Sequence, residues 1–536
     1  MTDICLRINK REGFDMKYLK YIVAIIAILV CIIIFGLNII YMSDVCDSWQ
    51  EIVSISYFGI GNLLITILIA TGLIKIINWI EQKREKNEKK ISSKKKYIII
   101  GLALLVYIII GIIWVVLRDS TPIADSMRVY EAATDIFKGR NLTSVRYFEL
   151  NPQNLSISFF FSLLFTIFHS NSLWIIKIAN IIANCFTIIG LFLITKLLKK
   201  DYDINETKSL VLSLTYIPII LLVNFIYGDI ISLPFSVFSI YFTMKYGKEN
   251  KVYHLLISAF LMMIAVILRM NNLILVIASI LYLILNLQIK DKSLDKKEKA
   301  KKIGIKLTLM IVFIIISLVP SKIATATLQN QYDLDKKREI PATRYIAMGM
   351  QEGTRANGWY NSETGDIAHT EKKINHEQYN DMIKERLTYF SNHIPYTIKF
   401  YIKKVASMWT EPLQESIWQN LSFNFESLGK NKTFSKTQIA SLEEMDAKIL
   451  NNEKIIQLYL KAIIFIIFGT VILFMIQNRK RLSNETILLL LVFLGGFFFH
   501  ILWEGKSRYI IPYLIILIPL ASIKIKEVKI KKILAK

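Results

Sequence analysis

The sequence predicts an all-α polytopic membrane protein, and three observations carry that expectation. Hydrophobic residues make up 54% of the 536, and the mean hydropathy is +0.43, too apolar for a water-soluble chain of this size. Several apolar runs approach or exceed the ~18 residues that span ~30 Å of hydrocarbon. Lysines gather in the short loops between those runs, the charge pattern of a membrane protein with basic inner loops. A β-barrel would instead show short alternating strands.

Topology accounts for the formal charge of +24, so no nucleic-acid partner is expected. Cys5, Cys31, Cys46 and Cys185 stand singly, implying neither a disulfide scaffold nor a zinc site. Residues 1–20 are polar, and the apolar run that follows is too long for a cleavable signal, so it is expected to stay as a helix.

Run 18–42 rises from a basic N-terminus, and after a short acidic turn (Asp44, Asp47, Glu51) run 52–80 returns. The lysine-rich stretch 81–96 is then cytoplasmic, and run 97–117 delivers the chain to the outer face. Segment 118–154 is the first long outer loop and holds Asp119, Asp125, Glu131, Asp135 and Glu149. Carboxylates beside a bilayer are costly unless solvated, paired or at work, so this loop is the first place to look for function.

Run 155–168 is only ~21 Å long at ~1.5 Å per residue, which suits a juxtamembrane or re-entrant helix. Run 173–198 returns to Lys199 and Lys200 inside. Runs 210–227, 231–246, 255–268, 272–287 and 307–319 continue the alternation, and Pro320 is expected to end the last. Segment 321–454 is the one large polar stretch and reads as a mostly helical external domain with Trp359, Trp409 and Trp418. Runs 455–476, 487–503 and 509–523 lead to a basic tail, giving about twelve transmembrane helices with both termini cytoplasmic. The chain thus divides into 1–96 (two helices and a basic loop), a transmembrane core 97–320, the external domain 321–454 and the C-terminal helices 455–536.

Asp125 opens an amphipathic segment that ends at Gly139, where it serves either as a helix N-cap or as a working carboxylate. Asp119 is its nearest rival. Glu504, Lys506 and Arg508 bring charge to the outer end of the last hairpin, against the inside bias; Arg508 suits a phosphate because guanidinium binds its oxygens in bidentate fashion. Arg269 lies at another outer helix end. Asp229 follows Gly228 in a tight turn that turn chemistry alone explains. His500 sits in an apolar run, where packing is the plain reading and metal ligation the alternative.

The stretch PIADSMRVYEAATDIFKG, followed by YFELNPQNLSISFFFSLLFTIF, resembles the first outer loop of family 39 type glycosyltransferases of the GT-C fold. Those include protein O-mannosyltransferases, lipid A aminoarabinose transferases and their bacterial relatives. IAMGMQEGTRANGWYN and SRYIIPYLIILIPLA resemble Gram-positive members of the group. The resemblance covers the chain from about residue 97 onward, so the first two helices read as an N-terminal addition.

It implies a GT-C-like membrane core and a polyprenyl-phosphate-linked sugar as donor. The acceptor would be a cell-envelope glycan, lipid or protein on the outer face, with membrane lipids as surroundings. Asp125 would be the general base of an inverting transfer, and Arg269, Lys506 and Arg508 would stabilise the leaving lipid phosphate. The family often carries Asp-Glu at the catalytic position, whereas Ser126 follows Asp125 here; the choice of base and the metal role stay open, and a divalent cation is allowed but not required. The richness in Lys, Ile and Asn is that of an AT-rich bacterial genome, so the expected location is a bacterial cell membrane. A twelve-span secondary transporter and a polysaccharide polymerase or ligase are the competing classes.

Overall fold

The computed structural model describes residues 2–45, 51–87, 93–118, 120–288, 294–365, 376–421, 436–479 and 481–524. Helix α1 (Thr2–Ile40) leads into a hairpin of β1 (Tyr41–Val45) and β2 (Val53–Tyr57), antiparallel with Tyr41 opposite Tyr57. The hairpin corrects the expected apolar run 52–80. VSISY alternates polar and apolar residues as a strand does, and Gly59, at φ +69°, turns the chain into α2 (Ile60–Asn87).

Helix α3 (Ser93–Leu117) is followed by three short helices: α4 (Ala124–Phe137), α5 (Val145–Leu150) and α6 (Asn154–Ile167). Val129 and Ala133 of α4 pack on Ile157, Phe161 and Phe165 of α6, which fixes the first loop as a folded unit. Helix α7 (Leu173–Leu198) is long and continuous, whereas α8 (Glu206–Thr215) and α9 (Pro218–Leu221) form a pair bent by 41°. Then come α10 (Gly228–Ile231), α11 (Leu233–Glu249), α12 (Val252–Leu268) and α13 (Leu273–Leu285).

Helix α14 (Lys296–Gln331) runs straight through Pro320, contrary to the expected stop. One missing N–H breaks a single rung, and the turns on either side stay bonded. Helices α15 (Ala342–Gly349), α16 (His376–Asn392) and α17 (Ile394–Trp409) follow. Helix α18 (Lys436–Asn478) is one piece, so both ends of the stretch 321–454 fall inside continuous helices. Helix α19 (Asn484–Leu502) precedes two short helices, α20 (Ile511–Ile515) and α21 (Ile518–Ala521).

Among the described residues, seven helices are long and apolar enough to cross a membrane, or eight if the bent pair is one span. Sequence reasoning expected about twelve. The difference lies in runs that are short or broken: 255–268 is part of the 17-residue α12, and 509–523 is interrupted between α20 and α21. Helices α7, α18 and α19 are central and mostly buried, while α2, α3 and α14 present their faces outward.

Buried lysines fasten the core. Lys461 of α18 donates to the backbone carbonyl of Tyr41 at 2.8 Å and to the Asn38 side chain at 2.9 Å, holding the C-terminal end of α1. Cations there suit the partial negative charge of a helix C-terminus. Lys177 of α7 donates to the Ser120 carbonyl at 2.8 Å and tethers the start of the first loop.

Candidate functional site

The end of α12, the turn of α10, the loop after α17, the N-terminal hairpin and the loop after α19 converge on one buried ionic network. Arg269 caps the end of α12 and donates to Asp229 at 2.5 Å. Asp229 in turn lies 3.6 Å from Nε of Arg508. The guanidinium of Arg508 pairs with Glu415, and its Nη1 is 3.8 Å from Glu51. Glu51 is shared further by Lys506 and Arg355.

Four cations and three carboxylates therefore alternate through the network, leaving one positive charge in excess. Aromatic rings shield it: Tyr227 and Tyr509 lie 5.5 and 5.0 Å from the Arg269 guanidinium, and Phe225 lies 5.0 Å from that of Arg508. Such ring faces attract cations most where water is excluded.

Backbone strain concentrates at the same place. Glu51 (φ +54°), Gln414 (φ +52°) and Glu415 (φ +58°) are left-handed non-glycine residues, as is Ala124 (φ +46°) directly before Asp125. Each such residue costs about 1–3 kcal/mol and persists only where its surroundings over-determine it, which is common at functional sites.

Burial opposes the charge of Glu415, yet Arg508 and Lys506 outweigh it and hold the carboxyl down to about 2. Glu411, one turn earlier, has no ion pair among the described residues, although Lys461 lies within its electrostatic reach. Burial pushes it up to about 8, although it accepts the amides of Leu413 and Glu415, both at 2.9 Å.

A cavity opens on the Arg269 side of the network, lined by Asp229, Ser232, Arg269, Asn271, Asn272, Arg508, Tyr509, Ile511, Pro512 and Tyr513. Nε of Arg508 is buried with no hydrogen-bond partner among the described residues. A positive excess and an unspent guanidinium N–H beside a cavity are what an anionic group needs.

Asp125 is exposed in the first turn of α4. The N-cap position belongs to Ile123, not to Asp125. Ser126 closes that turn, its hydroxyl donating to the Ile123 carbonyl at 2.7 Å and accepting its N–H at 3.0 Å. Three half-buried tyrosines, Tyr147, Tyr227 and Tyr345, lie within electrostatic reach of Asp125. Tyr227 feels Arg269 as well, so both charges lie within its electrostatic reach. Its hydroxyl donates to Asn154 at 2.9 Å, and Asn154 donates to Tyr147 at 2.6 Å. Tyr345 stacks on Trp503 at 5.1 Å, extending an aromatic shelf toward the last hairpin.

Of the residues singled out from sequence, Arg269, Asp229, Lys506 and Arg508 thus share one network, with Asp125 and Glu504 beside it. His500 is buried and its Nδ1 sits 3.1 Å from the Glu504 carbonyl, a packing role. No group of three or more His, Cys, Asp or Glu side chains among the described residues could hold a metal ion. Asp119 lies outside the described residues. The other loop acids hold structure: Glu131 accepts from Ser144 at 2.9 Å, Asp135 accepts the Thr143 amide at 2.8 Å, and Glu149 pairs with Arg338 at 3.0 Å.

Glu51, Arg355 and Glu415 were missed. One signal was present, since Glu411 and Glu415 fall between Trp409 and Trp418, where carboxylates have little reason to be unless paired.

No curated protein matches the chain. Residues 18–529 match the model of a family described as conserved hypothetical integral membrane proteins, and this chain is a member of that family.

Proposed function

We propose that the protein is a membrane glycosyltransferase of GT-C type that moves a sugar from a polyprenyl-phosphate donor to a cell-envelope acceptor at the outer face. One observation carries the reading. An exposed carboxylate, Asp125, and Arg269 of the cationic cavity wall both lie within electrostatic reach of the half-buried Tyr227. The lipid phosphate would meet Arg269 and Arg508, with Lys506 holding the wall's charge through Glu51. Charge grows on that phosphate as the glycosidic bond breaks, which is where fixed cations lower the barrier. Asp125 would accept the proton of the acceptor hydroxyl as its oxygen attacks the anomeric carbon, with inversion. The tyrosine and tryptophan faces offer apolar surface to the sugar ring.

The proposal extends to topology. Alongside the long apolar helices, α11, α12, α13 and the broken segments around α9 and α20 would complete about twelve crossings in a bacterial membrane, with cytoplasmic termini. Nucleotide sugars are not supplied outside the cell, so a lipid-linked donor suits an outer-face site.

The test is transfer from polyprenyl-phosphate mannose, glucose and N-acetylglucosamine by the purified protein in proteoliposomes. Asp125→Asn is expected to abolish transfer without changing expression or elution from a sizing column. Full turnover in that variant would remove Asp125 from the role, and an inert wild-type protein would sink the transferase reading.

A further inference from the structure

The loop that follows α19 holds a carboxyl with no partner among the described residues. Lys404, buried in α17, donates to the carbonyls of Gly349, Ile501 and Trp503 at 2.6, 2.9 and 2.8 Å, and so clamps the backbone on the N-terminal side of Glu504. His500 meets the carbonyl of Glu504 itself at 3.1 Å, and the amide of Gly505 donates to Gly358 at 2.8 Å. The backbone is pinned on both sides. The side chain is a different matter: Glu504 is only 9% exposed, yet its carboxyl has no hydrogen bond or ion pair among the described residues. Asp125, within electrostatic reach of it, has none either.

The carboxyl oxygens of Glu504 are not among the fully enclosed polar atoms, so an incoming group can reach them, and a rigid frame that holds a largely buried acid without a protein partner points to a ligand. We propose that Glu504 is a second substrate-contacting carboxyl, one that donates a hydrogen bond to an oxygen of the sugar while Asp125 accepts one from a hydroxyl. The proposal rests on the transferase reading. Its chemistry follows from the contrast in exposure between the two acids, because burial favours the neutral, hydrogen-bond-donating form of a carboxyl. Burial raises the affinity of Glu504 for its proton and Asp125 adds to that, while Lys506, Arg344 and Arg508 oppose it. Tyr509, Tyr345 and Lys404 are the other titratable groups that face it, and Trp503 and Tyr345 supply a stacked aromatic floor beside it.

The experiment compares Glu504→Ala and Glu504→Gln in the proteoliposome assay with the same three donors, after both variants are matched to wild type by elution profile. Glu504→Ala is expected to lose roughly 10- to 100-fold in kcat/KM, the worth of one substrate hydrogen bond. Glu504→Gln keeps a donor of similar shape and is expected to recover most of that loss, falling only roughly threefold below wild type. Wild-type activity should also decline as pH rises through the raised Glu504 value, and Glu504→Gln should lack that limb.

A second readout is independent of turnover. Dicyclohexylcarbodiimide, which modifies protonated carboxyls in apolar surroundings, should label Glu504 in the resting wild-type protein at neutral pH. Active wild type with Glu504→Gln as impaired as Glu504→Ala, or with Glu504→Ala unimpaired, or without the carbodiimide adduct, overturns this inference and leaves the transferase reading standing. Wild type inert toward all three donors overturns both.

Discussion

Arg508 and Glu415 close on each other inside the protein, and the carboxylate reaches that position from a left-handed backbone. Removing one member of a buried pair leaves an uncompensated charge, which costs about 3–5 kcal/mol. Arg508→Ala and Glu415→Ala are each expected to destabilise by that order, read as thermal unfolding in detergent micelles. The double replacement by methionine should regain part of the loss, because two apolar side chains replace two charges.

Gly228 sits where the turn of α10 touches the end of α12. A Cβ there would lie 2.0 Å from the Leu268 carbonyl oxygen, so Gly228→Ala must push Asp229 away from Arg269. Overpacking of this kind costs about 1–3 kcal/mol. Transfer should fall further than the loss of stability explains, and comparison of unfolding temperature with kcat/KM at a permissive temperature decides it.

Glu411 makes stability depend on pH with a definite sign. Burial lifts its folded value from 4.5 to about 8, so the folded chain holds the proton more tightly than the unfolded one. Its contribution is complete below about 4.5 and is lost as pH rises toward about 8. Glu411→Gln should flatten the slope of unfolding temperature against pH across that window.

Ala124 aims Asp125 from a left-handed conformation. Ala124→Gly should be tolerated within about 1 kcal/mol, since strain relief and the entropy of glycine oppose each other. Ala124→Val should instead disturb the start of α4 and lower transfer, because a β-branched side chain fits that backbone worst.

How far the amino-acid order reveals this architecture depends on the kind of signal. Long apolar runs such as 97–117 and 173–198, and 18–42 as far as Ile40, correspond to continuous helices because burying or lipid-facing length is written directly in composition. Pro320 misled, since a proline removes one rung and does not by itself end a long helix. The hairpin before α2 was hidden because VSISY is short and merges into the apolar residues that follow.

At the site, Arg269, Lys506 and Arg508 stood out as cations at helix ends that the charge pattern of the loops assigns to the less basic side. Glu51 and Glu415 did not, because what gives them meaning is pairing with residues far away in sequence. Asp229 read as a turn residue, and only the approach of Arg269 from α12 turns it into a bridge.

Glu51 and Lys506 are 455 positions apart, and their ion pair joins the early hairpin to the loop after α19. Arg355 is made earlier and can meet Glu51 first, but translation must pass residue 506 before the second cation is in place. Until then the nascent chain carries Glu51 without Lys506 and Glu415 without Arg508. Charge balance in the network is thus reached only late in synthesis, and a chain cut before residue 506 lacks it.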